Sequence, residues 1–467
     1  MAVWACAAAC GPARTMASGP PADHAPKRAA NVPAAASESL PRDLSTRQRG
    51  HDWPAFLGPS GDSKSTETGI SPWPDSGPPI LWTRTMGESY AMPAISRGRL
   101  VLCERIDDEV HVVALHSESG RELWEFRYPT DYQDLYGYDN GPRCQPVIDG
   151  NRVYVYGVEG MLYCLRLEDG AEQWKVDTTE RFGVVQNFFG VGSTPLVEGD
   201  LLLVQVGGSP PESRRVPPGQ LDLVVPNGSG LVAFNKFTGE VVYAVGDELA
   251  SYASPVVADI GGRRTCLLFA RGGLLGVDVV TGDVEFHFPW RARILESVNA
   301  SNPVVVDNLV FISECYGPGS ALLRVARGTC TPVWTDAGRR AKAMQTHWNT
   351  PIHVDGYLYG CSGRHTREAE LRCIEFNTGK VTWSEPGLTR LSLLYVDGHL
   401  VGLTEYGELL LLRANPEKFD LVSRVWLRNE EGRPILRYPC WAAPALARGL
   451  LYLRGDRLLA CVELIPR

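Results

Sequence analysis

Arginines, amides and aromatic rings recur together in four stretches of this 467-residue chain, and such groups on one concave surface grip a peptide strand, a sugar or an acidic ligand. The stretches span residues 128–143 (YPTDYQDLYGYDNGPR), 181–190 (RFGVVQNFFG), 288–299 (FPWRARILESVN) and 344–349 (MQTHWN). They supply Arg143, Gln186, Asn187, Arg291, Glu296, Asn299, His347, Trp348 and Asn349 as candidate binding residues. Asn302 follows shortly after the third stretch, and shorter segments add Arg271, Glu314, Arg364, His365, Glu405 and Tyr406. The competing reading is that these groups satisfy one another and the backbone of long loops. Covalent and metal chemistry find little support. There is no G-x-S-x-G, no H-E-x-x-H and no phosphate loop. His347, His353 and His365 lie near one another in sequence, but no carboxylate pair stands at ligand spacing beside them. Glu296, Glu314 and Glu405 would be the carboxylates of a carbohydrate-active enzyme if the loops bring them together.

The stretches are separated by a repeated hairpin, and that hairpin must position them. Glu370 to Trp383 (ELRCIEFNTGKVTW) reads as a half-buried strand, a tight Thr378-Gly379 turn and a returning strand ending in Trp. Copies turn at Ser119-Gly120, Asp169-Gly170, Thr238-Gly239, Thr281-Gly282 and Arg327-Gly328. The aromatics Trp82, Trp124, Trp174, Tyr243, Phe286, Trp334, Trp383 and Trp426 form a series of eight. Rings at one position of every outer strand are expected to pack between neighbouring repeats.

A second series of eight small turns runs from Arg97-Gly98 to Arg448-Gly449, with a proline a few residues before seven of them. The two series are offset, because Trp82 precedes the first small turn and no aromatic-marked strand follows the last. Each unit therefore reads as strands A, B, C and D, and the eighth unit borrows its D strand from Ile80–Thr85. Borrowing closes a ring and removes exposed edges. The expectation is an all-β, eight-bladed propeller of four-stranded blades over residues 80–467, with D-to-A and B-to-C loops gathered on one face. Ile80 to Leu464 is 385 residues, about 48 per blade. The outsized third unit contains an insertion at 207–230, a Pro-rich surface loop expected to fold over that face.

The spacing, the T-G-[KE] turn and the following Trp resemble the pyrroloquinoline-quinone-type propeller repeat. Two branches of that family bear on function: the quinoprotein alcohol dehydrogenases, and the non-catalytic propeller lipoprotein of the outer-membrane barrel-assembly machinery. The chain also looks like bacterial propellers labelled as outer-membrane biogenesis proteins. The second branch implies a scaffold without a cofactor that holds a cell-envelope protein or peptide. The first branch is the alternative and implies pyrroloquinoline quinone with calcium in the central funnel, for which Glu314, Asn302 and Asn299 offer oxygens. The adjacent Cys-Cys pair that covers the quinone in those enzymes is missing here, as is a C-x-x-C-H haem motif.

Bulk properties narrow the partners. A net charge of −8 argues against a general nucleic-acid binder, and no apolar run is long enough to span a membrane. Twelve cysteines occur with no C-x-x-C spacing. Cys361 and Cys373 flank a turn and are candidates for a cross-strand disulfide. Met1–Cys10 (MAVWACAAAC) loosely resembles a lipoprotein cleavage site, without a basic start and with Ala where Leu is preferred. Residues 1–50 are expected to be an export signal and a disordered tether, and 51–79 an extended segment lying across the propeller. An exported, periplasmic or lipid-anchored protein is the expectation.

Overall fold

A computed structural model describes residues 39–467, so the signal-like Met1–Cys10 and most of the expected tether lie outside the described residues. Eight sheets form eight blades. Seven are consecutive: residues 94–129, 147–177, 196–245, 256–289, 304–335, 352–386 and 391–426. The eighth joins Ala445–Ala447, Leu450–Arg454 and Leu458–Glu463 to Ile80–Thr85, which runs antiparallel to Leu458–Glu463 on its outer side. The ring closes through the borrowed strand as the offset series requires.

Strands B and C are largely apolar and buried because both sheet faces press on neighbouring blades. In blade 1, Leu100–Cys103 and Val110–Leu115 are all buried, the polar His111 among them. Strand D faces solvent along one side, and its burial alternates, as in Glu122–Pro129.

Every C–D ladder slips register once, at a bulge in strand D. In seven blades the residue after the bulge is the aromatic of the series. Each Trp or Tyr there donates to a carbonyl of the next blade: Trp82 to Ser117, Trp124 to Leu167, Trp174 to Lys236, Tyr243 to Val279, Trp334 to Phe376 and Trp383 to Asn415. The ring also lies flat on the next blade's turn. A Cβ on Gly170, whose φ is +77°, would come within 2.6 Å of the Trp124 ring. That turn needs glycine both for its left-handed backbone and for the space. Phe286 has no donor, and the turn facing it, at Gly328, has nothing within 4 Å of an added Cβ.

Trp426 does not belong to the series. The bulge of blade 7 falls at Val422, so Ser423 takes the aromatic's place and Trp426, three residues on, is 38% exposed. Ser423 instead exchanges hydrogen bonds with the backbone of Trp73 in the N-terminal segment. The disulfide expectation also fails. Cys361 stands opposite Leu371 and Cys373 opposite Tyr359, so the thiols are offset by two residues, and both are free.

The segment before the borrowed strand is a strap across the turn face of the ring. Residues 39–50, expected in the tether, are held there: Arg47 is buried and bonds the Ile465 carbonyl, and Thr46 bonds Glu118. Trp53 pairs with Ile95 of an innermost strand, Ile148 of the next blade donates to Pro54, and Lys64–Ser65 adds a parallel strand inside blade 7. The strap thus crosses the axial end of four blades, 8, 1, 2 and 7, and stoppers the channel.

A blind funnel on the loop face

A second belt of bonds holds the loops at the channel wall. In blades 2 to 5 the residue before the strand-A proline donates its backbone N–H to the side-chain oxygen of its counterpart in the following blade. The chain runs from Gln145 to Thr194 (3.1 Å), Thr194 to Ser254 (2.9 Å), Ser254 to Asn302 (2.8 Å) and Asn302 to Thr350 (3.0 Å). These short polar residues are required because proline, next in sequence, cannot donate. Asn302, a candidate ligand by sequence, is a link in this belt.

Above the belt the D-to-A and B-to-C loops surround a cavity of about 380 Å3. All eight blades contribute to its wall, and Trp53, Phe56 and Leu57 of the strap form its floor. Trp441 is the hub of the wall, with ring centroids 5.0 Å from Tyr90, 5.2 Å from Trp348, 5.8 Å from Tyr438 and 6.0 Å from Tyr138. The belt of rings continues from Tyr138 to Phe189 and Tyr252 on one side, and from Trp348 to His347 and Tyr316 on the other.

Three guanidinium groups lie among these rings, and they differ in what neutralises them. Arg390 lies 4.6 Å over Trp348 and 5.4 Å over Trp441, and it forks onto Glu405 at 2.6 and 3.0 Å. Burial pushes the Glu405 carboxyl up, but the Arg390 fork and the Trp441 indole N–H overcome it and hold the group below its ordinary range. Arg143 lies between Tyr90 (5.1 Å) and Phe189 (5.5 Å) and bonds the Phe189 and Asp139 carbonyls and the buried Asp134 carboxylate. Arg364 is half-buried 4.4 Å over Tyr316 and has no carboxylate partner among the described residues. Burial, followed by the charges of Arg390, Arg364 and His365, pushes His347 down to about 3, so its imidazole is neutral near pH 7. Its Nε2 lies 3.1 Å from the Tyr316 hydroxyl.

Of the sequence candidates, Arg143, His347, Trp348, Asn349, Arg364 and His365 meet in this funnel. Asn349 donates to Ser392. Glu405 stands behind the wall, and Tyr406 is an exposed rim residue stacked 5.0 Å from Tyr438. Gln186 and Asn187 line a separate cavity between blades 2 and 3, bonded to the Gln133 and Ala250 carbonyls. Arg271 and Arg291 converge on Asp222 of the 207–230 insertion at 2.9 and 2.6 Å. The insertion packs Leu221 and Val224 against Leu249, fixed over the loop face. Glu296 is exposed on its loop.

The quinone and calcium alternative was tested on its oxygens. Glu314 spends its carboxylate on the N–H groups of Tyr316, Gly317 and Gly319, closing its own loop. The Asn302 oxygen accepts from Ser254, whereas the Asn299 amide nitrogen donates to the Ala270 and Trp290 carbonyls and leaves its buried oxygen as the one unpartnered oxygen of the set. One free oxygen, on Asn299, does not make a calcium site, because the Glu314 and Asn302 oxygens are already taken by backbone N–H groups. No group of three or more His, Cys, Asp or Glu side chains is placed to hold a metal among the described residues.

Sequence reasoning missed Tyr90, Arg390, Tyr438 and Trp441. They occupy the short loop entering blade 7 and the two loops beside the ring closure, at 86–93 and 427–444. The strap floor was also missed, although the aromatic run at Trp53–Leu57 was visible.

A family model described as outer membrane protein assembly factor BamB matches residues 107–385, more than half the sequence. The chain belongs to that family. Solved structures show the same fold. BamB from Moraxella catarrhalis superposes with a TM-score of 0.53 at 14% identity, covering 82% of this chain and 96% of that one. The computationally designed Ika8 protein superposes at 0.50 with 10% identity, covering 83% and 100%. A quinohemoprotein alcohol dehydrogenase from Comamonas testosteroni gives 0.49 at 14% identity over 89% and 81%. At these identities the likeness is one of fold. No curated protein matches the sequence, and no described helix is long and apolar enough to cross a membrane.

Proposed function

We propose that this BamB-family propeller is a non-catalytic, exported binding module of the cell envelope, and that the loop face around the funnel holds a protein partner. The observation that carries this reading is an apolar rim. Tyr136, Tyr138, Leu223, Val225, Tyr406 and Tyr438 are large, exposed and all on the loops of that face. Two of the three guanidinium groups in the wall are already paired with carboxylates, and burial makes His347 a weak base. The fold and the family model support a scaffold role; envelope location and partner identity are part of the proposal.

The test compares tagged wild-type protein with two double variants recovered from the cell envelope. Tyr138→Asp with Leu223→Asp alters the rim, while Val284→Asp with Val333→Asp alters exposed outer strands. Loss of retained partner only in the rim variant, at unchanged melting temperature, is the expected outcome. Equal retention by both variants, or dye-linked oxidation of alcohols or sugars when calcium and pyrroloquinoline quinone are supplied, overturns the reading.

A further inference from the structure

The charge balance inside the funnel points to a ligand class. Arg143 and Arg390 are matched by Asp134 and Glu405, whereas Arg364 is unmatched and half-buried, so the cavity carries one uncompensated positive charge. The rings beside it offer faces rather than donors. The Trp348 indole N–H is spent on the Trp441 carbonyl, and the Trp441 N–H on Glu405. The strap closes the far end with Trp53, Phe56, Leu57 and Ser63, so no chain threads through. A cavity of about 380 Å3 is the size that encloses one small organic molecule.

We propose that the funnel binds a small organic monocarboxylate with a ring-shaped apolar body, its carboxylate on Arg364 and its ring against Trp348 and Trp441. The proposal rests on the loop face being a working surface, and it adds an occupant distinct from the protein held by the rim. A second anionic group on the ligand would find Arg143 and Arg390 already paired with carboxylates, so dianions are disfavoured. A neutral analogue keeps the stacking and loses the charge-assisted hydrogen bonds, which are worth roughly tenfold or more in affinity.

The experiment is calorimetric titration of the whole protein with 2-naphthoate and with its uncharged counterpart 2-naphthamide. The wild type is expected to bind the acid at least about tenfold more tightly than the amide. Arg364→Gln should erase that difference and Arg364→Lys should restore part of it. Because the Arg364 guanidinium has no carboxylate partner, both variants should melt with the wild type. Equal affinity for acid and amide, a preference that survives Arg364→Gln, or no binding of either at millimolar concentration overturns the pocket. Partner retention by the rim is read on the same protein: naphthoate failing while the partner stays bound removes this inference and leaves the scaffold reading standing.

Discussion

Replacing Trp124 by Ala tests the blade-to-blade latch quantitatively. The ring is buried, lies on the Gly170 turn of blade 2 and donates to the Leu167 carbonyl at 2.9 Å. Truncating a buried Trp costs about 3–5 kcal/mol, which includes the cavity left between the blades. Trp124→Phe keeps most of the packing but leaves a buried carbonyl without its donor, at about 1–3 kcal/mol. Trp426 provides the comparison within the same chain. It is 38% exposed with no acceptor, so Trp426→Ala should cost under about 1.5 kcal/mol. Urea unfolding followed by circular dichroism should rank the midpoints wild type, Trp426→Ala, Trp124→Phe and Trp124→Ala, from highest to lowest. Equal shifts for Trp124→Ala and Trp426→Ala would refute the assignment of the latch to the residue after the bulge.

Two further outcomes follow from the ring's closure and from His347. Deleting residues 1–67 should remove the strap yet leave a folded ring of lower melting temperature, whereas deleting 1–85 should abolish cooperative unfolding because blade 8 loses its outer strand. Identical calorimetric transitions for the two truncations would contradict this. His347 has its folded-state value lowered to about 3, against about 6.5 in the unfolded chain. Between these values the unfolded chain binds more protons, so this residue's contribution destabilises the protein as pH falls from about 6.5 toward 3. His347→Gln should therefore lose less melting temperature than wild type between pH 7 and pH 4.5, and equal losses would show that the imidazole is not held neutral.

The ring was legible because its signals are local and repeated. The turn glycines at 120, 170, 239, 282 and 379 each receive the aromatic of the preceding blade, and four residues beyond each stands the aromatic of its own blade. The offset of the two series also reveals the borrowed strand. Trp426 misled because identity and approximate spacing were visible but the bulge position was not; a one-residue shift of register moves a side chain to the other face. The funnel was half legible. Loops with dense chemistry stood out, which brought in Arg143, His347, Trp348 and Arg364. What those groups bond was invisible: Glu314 and Asn302 read as ligands, yet one closes its own turn and the other links two blades. The hub residue Trp441 was missed because its loop joins the seventh blade to the eighth, where the aromatic series had broken down.

Site-specific photo-cross-linking tests the central claim most directly. A benzophenone side chain is placed at Tyr138 or Leu223 on the apolar rim, and separately at Val284 on an outer strand, all three being exposed. Irradiation in intact cells should yield one and the same protein adduct from both rim positions and none from Val284. Adducts of equal yield from all three positions, or from Val284 alone, would contradict the account.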